Sequence, residues 1–451
     1  MIDRKIDAFL DRYYERNKAA LMLTGARQVG KTVAFRRFAQ RHFKHYIEIN
    51  FVKSPDAIAI FKDVNNPEEI LLRLSSFTTS KMVSGETFIL FDEVQKCPEC
   101  VTQIKFLVEE GSYTYGLTGS LLGVELKDLR SEPVGFMDIA EVFPCDFEEF
   151  ATALGVSGQI FDKLHESFIE KTPVDPVIHK KMISIFRLYL LVGGLPAVVS
   201  RYLETNNMQD VMDHQRAIIR LYKKDIAQYD PDEKLYIDDI FDLIPSELNA
   251  KNKRFILKTL NRHAKFSRYE NSFLWLKNAG VAIPVFNVEE PCIPLLLNKQ
   301  RSLFKLFQND IGLLACQYGK SIQLKVLSGE TDLNKGAIYE NVVAQELLAN
   351  GFGALYYFTD KKLGEIDFLI ELEDGSIVPI EVKSGKDFRH HPALDKALKE
   401  KQYGFKKAFV LCNDNLSEAE NIIYLPVYMT MFLRQRETEP LIYKPDITEL
   451  Q

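Results

Sequence analysis

One stretch near the start of the chain constrains the fold more than any other: Leu21-Met22-Leu23-Thr24-Gly25-Ala26-Arg27-Gln28-Val29-Gly30-Lys31-Thr32. A short apolar run suited to a buried strand breaks into GxxxxGKT, and Val33 to Gln40 then reads as a helix. Such a strand–loop–helix aims backbone N–H groups and the positive end of a helix at an anion, so a phosphate cradle is expected. Gly25, Ala26, Arg27, Gln28, Val29 and Gly30 would wrap the phosphates. Lys31 would reach the β- and γ-phosphates, and the Thr32 hydroxyl would hold Mg²⁺. ATP and magnesium are the cofactors this implies.

At 451 residues the chain is too long for one ordinary core, and several domains are expected. A net charge of −6 gives no global attraction to nucleic acid, so any such binding needs a local basic patch. The N-terminus is charged and amphipathic, and the longest apolar run breaks at Gly193-Gly194. No membrane span and a cytoplasmic location are therefore expected. Cys97-Pro98-Glu99-Cys100 has no second cysteine or histidine pair at zinc-site spacing, and Pro98 suits a helix start.

Further along, Tyr46–Phe51 alternates like a strand, Asn65–Phe77 has helical spacing, and Thr87–Phe91 is the continuous apolar run of a buried parallel strand. That run ends in Asp92-Glu93. A carboxylate at the tip of a strand neighbouring the cradle lies where Mg²⁺ is held, which makes Asp92 the metal partner and Glu93 the base that orients water. Tyr113–Leu117 is the next strand, closed by Thr118-Gly119-Ser120, whose hydroxyls could sense the γ-phosphate or equally form an ordinary capped turn. Arg130 is a candidate for a charge supplied to a neighbouring copy's nucleotide, which would need a homo-oligomer; a solvated surface arginine is the favoured reading.

Taken together, GARQVGKT (Gly25–Thr32), FILFDEVQ (Phe88–Gln95), LTGS (Leu117–Ser120) and PCDFEEF (Pro144–Phe150) resemble a large bacterial and archaeal family of AAA-type ATPases with a C-terminal restriction-endonuclease-like domain. Phe136 stands where some relatives carry a basic residue after the glycine. The resemblance implies an α/β multidomain chain: a P-loop AAA-type core over 1–150, a helical lid over 151–230, a winged-helix-like domain over 231–300 and a PD-(D/E)xK nuclease-like domain over 301–451.

The middle of the chain fits that outline. Lys180–Glu204 is helical and interrupted at Val192-Gly193-Gly194-Leu195-Pro196, where one helix ends and another starts. Three helical patterns (Tyr236–Leu248, Lys253–Leu260, Arg268–Ala279) precede two strand patterns, Val281–Phe286 and Cys292–Leu297, the outline of a winged helix. Lys251, Lys253, Arg254, Lys258, Arg262, His263, Lys265 and Arg268 concentrate positive charge there and would neutralise phosphates of nucleic acid, DNA in the first instance. A solvated or packing face is the competing reading.

Beyond Gly336 the pattern becomes a helix, a strand, a hairpin across Asp374-Gly375, a helix over Pro392–Glu400 and a buried strand over Ala408–Cys412. Glu340 lies on the first helix, Asp367 on one hairpin strand, and Glu381 and Lys383 share a face of the other. Asp367 and Glu381 could hold Mg²⁺ against a phosphodiester while Lys383 stabilises developing charge. In the resemblance Asp367, Glu381 and Lys383 take the nuclease motif roles, with Glu340 as the helix acid. A plain two-residue turn would place Asp367 opposite Val382, on the wrong face; the site requires a slip of one, through a three-residue loop or a bulge near Pro379.

Two functions from different classes follow. One is a Mg²⁺-dependent ATPase that binds nucleic acid and processes it at the C-terminal site. The other is an ATP-gated DNA- or protein-binding regulator whose nuclease-like domain does not cleave. ATP-driven protein remodelling ranks lower, because no aromatic substrate-threading loop is evident.

Overall fold

Five parallel strands carry the cradle, in the order β2-β3-β4-β1-β5. A computed structural model describes residues 2–64, 66–119, 135–229, 234–250, 253–256, 266–320, 325–326 and 336–435. Helix α1 (Lys5–Arg16) leads into β1 (Ala20–Thr24), α2 (Lys31–His42), β2 (His45–Asn50), α3 (Pro67–Ser76), β3 (Thr87–Asp92), α4 (Pro98–Glu110), β4 (Thr114–Thr118) and β5 (Met137–Glu141). Every residue of β1 and of β3 is buried, as strands covered on both faces require. Helix α2 packs on the sheet through Ala34, Phe35, Phe38 and Ala39, one face of a 3.6-residue repeat. The edge strand β5, with its mostly half-buried and exposed side chains, offers no such pattern to a sequence reading. Cys97 and Cys100 are buried in the core of this sheet. Arg130 and Ser120 lie outside the described residues.

The PCDFEEF segment begins α5 (Phe147–Ala153) with a reciprocal cap: Asp146 accepts from Glu149 N at 2.9 Å, and Glu149 accepts from Asp146 N at 3.1 Å. Helices α6 (Gly158–Glu170), α7 (Pro176–Val192), α8 (Pro196–Thr205), α9 (Met208–Tyr229), α10 (Lys234–Asn249) and α11 (Phe266–Asn278) follow. The Gly193-Gly194 turn between α7 and α8 is tied on two sides. Cys145 N donates to Gly194 O at 2.7 Å, and Gly194 N donates to the buried Asp310 carboxylate at 2.6 Å. The segment expected as a lid is thus tied to the residues just after the first sheet and to the second half of the chain. No single described helix is long and apolar enough to cross a membrane; α7 and α8 together reach the length but bend by 118°.

The second sheet has eight strands, and its composition corrects the winged-helix expectation. β6 (Ala282–Val288) and β7 (Lys299–Gln308) form a hairpin; after α12 (Ile311–Tyr318) and α13 (Gly336–Ala349) come β8 (Leu355–Asp360), β9 (Gly364–Glu371), β10 (Ile377–Val382), α14 (Pro392–Lys399), β11 (Ala408–Cys412), β12 (Ser417–Ala419) and β13 (Ile422–Pro426). The order is β12-β13-β11-β10-β9-β8-β6-β7. The hairpin expected as a wing is therefore one edge of the C-terminal sheet, because β6 pairs in parallel with β8. A boundary at residue 300 would fall inside β7. Cys292–Leu297, expected as the second strand, holds a 3-10 turn instead, and the strand comes later. Lys253–Ile256 is irregular rather than helical. Lys251, Lys258, Arg262, His263, Lys265 and the Arg268 side chain lie outside the described residues. One apolar core runs from Leu21 and Phe35 through Leu190 and Ile240 to Phe307, Val342 and Ile380, joining the two sheets through the helices.

Candidate functional site

The cradle adopts an anion-binding loop geometry. Gly25 and Gly30 have φ of +124° and +101°, and Gln28 sits at +68°, so successive N–H groups turn toward the start of α2 at Lys31. The Lys31 ammonium donates to the carbonyls of Gly25 and Ala26, each at 2.9 Å. Burial pulls its pKa down to about 8, against the opposing pull of Glu93 and Asp92. Thr32 Oγ1 donates to Asp92 Oδ1 at 2.8 Å, Thr118 donates to the same oxygen, and Asn50 donates to Oδ2 at 2.5 Å.

Asp92, at the tip of β3, thus reaches the loop although β4 lies between β3 and β1, and β4 brings Thr118 to the group. Glu93 occupies the left-handed region at φ +63°, and its carboxylate accepts from the Gln95 amide. Hard oxygen donors at Thr32 and Asp92, held by neutral partners, fit a magnesium ion.

A cavity of about 480 Å³ opens beside the loop. Ile2, Ile6, Val33, Ala34, Pro196 and Ala197 supply apolar walls, with Arg4, Arg27, Arg37 and Ser200 at polar positions. Arg4, missed in the sequence, ties three pieces together: it donates to Val29 O at 3.0 Å and Phe143 O at 2.8 Å, and pairs with Glu149 at 3.0 Å. No motif marks an arginine ahead of the first strand, so sequence reasoning had no hold on it.

The other side of the loop touches the second half of the chain. Arg27 pairs with Asp225 of α9 at 2.6 Å, and Tyr222 donates to Arg27 O at 3.3 Å. Gly280, at φ +67°, lies so close that a Cβ there would come within 2.8 Å of Ala26 N.

The hairpin resolves the register question. Ile377 opposes Glu371 and Ile380 opposes Phe368, with Leu372 N donating to Ser376 O at 2.9 Å. The loop thus has three residues, and carrying the register one pair further sets Glu381 opposite Asp367. The slip the site needs is present. Lys383 donates to Glu381 Oε1 at 2.9 Å, and Asp367 Oδ2 accepts from Val382 N at 2.9 Å.

Around this pair the structure gathers four carboxylates and four cations. The Lys305 ammonium, on β7 and fully buried at 0% exposure, lies 3.2 Å from Glu340, 2.8 Å from Glu365 and 3.7 Å from Asp367. Lys253 also pairs with Glu340. Arg254 donates to Thr359 at 2.9 Å and lies 3.8 Å from Glu365. Burial would lower the Lys305 pKa, but Glu340, Glu365 and Asp367 hold it well above the ordinary range. Glu381 is pushed up to about 8 by burial and by Asp367, and its Oε2 is buried with no hydrogen-bond partner.

The oxygen donors suit a divalent cation, yet Glu340, Glu365, Asp367 and Glu381 already face ammonium or guanidinium groups. Among the described residues no three His, Cys, Asp or Glu side chains form a metal-holding group. Lys305 escaped the sequence reading because β7 was placed too early, a lone lysine in Leu303-Phe304-Lys305-Leu306-Phe307 being the available signal, and Glu365, on a hairpin strand that was expected, fills no motif position.

Lys253 and Arg254, expected to face nucleic-acid phosphates, are committed to this cluster instead. A different basic group lies near the β6–β7 hairpin, where Lys277 also feels the Glu141 carboxylate. Lys299 lies 3.8 Å from the Phe286 ring centroid, and burial with Lys277 and Arg301 pushes its pKa down. Among the described residues none of these three cations makes an ion pair with a carboxylate.

Residues 17–151 match the family described as an AAA domain. Residues 183–323 and 335–429 each match a domain of unknown function (DUF8612 and DUF4143). The chain thus carries an AAA-type P-loop ATPase domain, the class whose work is ATP binding and hydrolysis. No curated protein matches the chain. Among solved structures it is similar to a Walker-type ATPase of Pyrococcus abyssi at 14% identity, over 70% of this chain and 96% of that one, with a TM-score of 0.42. It is also similar to the Orc1 protein of Aeropyrum pernix in complex with DNA (12% identity, 72% and 91% covered, TM-score 0.24). The Thermotoga maritima RuvB Holliday junction branch migration motor is a third (13% identity, 67% and 92% covered, TM-score 0.28).

Proposed function

We propose that the protein is a magnesium-dependent ATPase whose nucleotide site controls a nucleic-acid-processing site on the C-terminal sheet. The convergence of Lys31, Thr32, Asp92 and Glu93 at one end of the parallel sheet carries the first half. Phosphates entering the loop would draw the Lys31 ammonium from the Gly25 and Ala26 carbonyls, and the loop amides with the α2 N-terminus would take the charge. Magnesium would be held by Thr32 and Asp92 and would neutralise charge between the β- and γ-phosphates. Glu93, released from Gln95, would orient water on the γ-phosphate. The apolar walls of the neighbouring cavity suit a purine ring.

The second half rests on Asp367, Glu381 and Lys383 sharing one face. Lys277, Lys299 and Arg301 are the surface we assign to a phosphodiester backbone, DNA first. Motion would pass through Arg27–Asp225 and Gly280, which press on the loop from the second half. Incubating DNA with ATP and magnesium or manganese tests it: cleavage that disappears in Asp367→Ala and Lys383→Ala but persists in part in Lys31→Ala supports the reading. Intact single-stranded, duplex and branched DNA in both metals overturns it.

One observation favours a second reading, an ATP-gated regulator with a non-catalytic C-terminal domain. All four carboxylates of that cluster are already countered by the chain's own cations.

A further inference from the structure

A carboxylate cluster that receives a divalent cation must offer it negative charge. Here Glu340, Glu365, Asp367 and Glu381 are met by an equal number of cations, Lys253, Arg254, Lys305 and Lys383. The two lysines on Glu340 differ in how they are held. Lys305 is a strand residue with no exposed surface, bridging three carboxylates from α13 and β9. Lys253 comes from an irregular segment, keeps a fifth of its side chain exposed, and takes a left-handed backbone at φ +49° that an L side chain adopts only under constraint. Its segment is held by Phe255 N to Phe304 O at 3.0 Å and by Ile256 N to Glu247 at 2.9 Å, the latter on α10. Glu381, only 8% exposed and set opposite Asp367, has a carboxylate oxygen in the cluster with no partner.

We infer that Lys253 is an internal plug: its ammonium occupies the cation position at Glu340, and a divalent cation enters the Glu340–Asp367–Glu381 cluster only when Lys253 withdraws. Lys305 stays as the permanent counter-charge that keeps the acids together. With Lys253 removed the cluster gains one uncompensated negative charge beside the unpartnered Glu381 oxygen, and a hard divalent cation is the ligand class that satisfies both. The segment that carries the plug is bonded to α10, which packs on α9 beside the nucleotide loop. Lys223 of α9 pairs with Asp242 of α10 at 2.6 Å, two residues from the Asp225 that holds Arg27. This inference rests on the reading of the C-terminal cluster as a metal-using site.

Manganese binding to the full chain, followed by electron paramagnetic resonance, tests it in an Asp92→Asn background that silences the nucleotide-site metal. Lys253→Ala should bind manganese roughly tenfold more tightly or better. Lys253→Arg should stay at the parent level, and adding Asp367→Asn to Lys253→Ala should abolish the gain. If the parent already binds as tightly as Lys253→Ala, and Asp367→Asn removes that binding, the plug is refuted while the metal site stands. If neither binds, with melting temperatures showing both folded, the metal-site reading itself falls and takes the plug with it.

Discussion

Asp92, at the end of β3, and Asp367, in the middle of β9, are both buried carboxylates beside a lysine, yet their surroundings are opposite. Asp92 is held by neutral donors, the hydroxyls of Thr32 and Thr118 and the amide of Asn50. Its lysine, Lys31, rests on backbone carbonyls. Asp367 and its neighbours Glu340 and Glu365 face the Lys305 ammonium directly. Neutral donors orient an acid without using up its charge, so Asp92 is ready for a cation. Ammonium groups neutralise it, so the second cluster must first lose one.

Chemistry should show the contrast most strongly. Glu93→Gln should lower phosphate release from ATP by about 10²–10⁴-fold, the usual worth of a positioned base, while Glu381→Gln leaves ATP turnover near the parent rate. Equal phosphate release by the parent and Glu93→Gln would remove Glu93 from its role.

Stability should separate the sites next. Lys305→Met strands buried carboxylates and should cost about 3–5 kcal/mol in urea unfolding. Asp92→Asn keeps the shape and the hydroxyl partners but sets an NH2 against the Asn50 amide, and should cost about 1–2 kcal/mol. Similar losses in the two variants would break the comparison.

The nucleotide half was legible because its signals are local. GxxxxGKT and FILFDE each state their own strand and tip, and β1 and β3 appear within a residue of where the apolar runs put them. The hairpin acids were legible too, since a period of two and a turn fix which side chains share a face. What failed was long-range pairing. Nothing local in Val281–Phe286 says that it lies parallel to Leu355–Phe358 rather than standing as a wing. Lys305 and Glu365 meet only through that pairing, and Arg4 reaches the loop only because the N-terminal segment folds back over it.

A third contrast lies in pH. Burial and then Asp146 push the Glu346 carboxyl, between α13 and α5, up to about 8 from 4.5. Its other neighbours are Tyr189, which donates to it, and Lys5, which pulls the pKa back. The folded chain keeps a proton that the unfolded chain releases, so this group's contribution is full below about 4.5 and is lost as pH rises through about 8. Urea midpoints for Glu346→Gln should therefore decline less between those limits than those of the parent; parallel declines would contradict this.

The smallest effect belongs to the half-exposed Arg27–Asp225 pair. Asp225→Asn should cost under about 1 kcal/mol. If motion passes along this contact, the same change should alter ATP turnover on adding DNA; identical stimulation in both proteins would count against that route.

The central claim is that one site stands ready for a metal while the other carries its own cations. Counting manganese per folded chain by native mass spectrometry, with ADP in the nucleotide site so that ATP does not drive Lys253 out, tests it most directly. The account predicts one ion in this protein and two once Lys253→Ala is added; two ions without that change would contradict it.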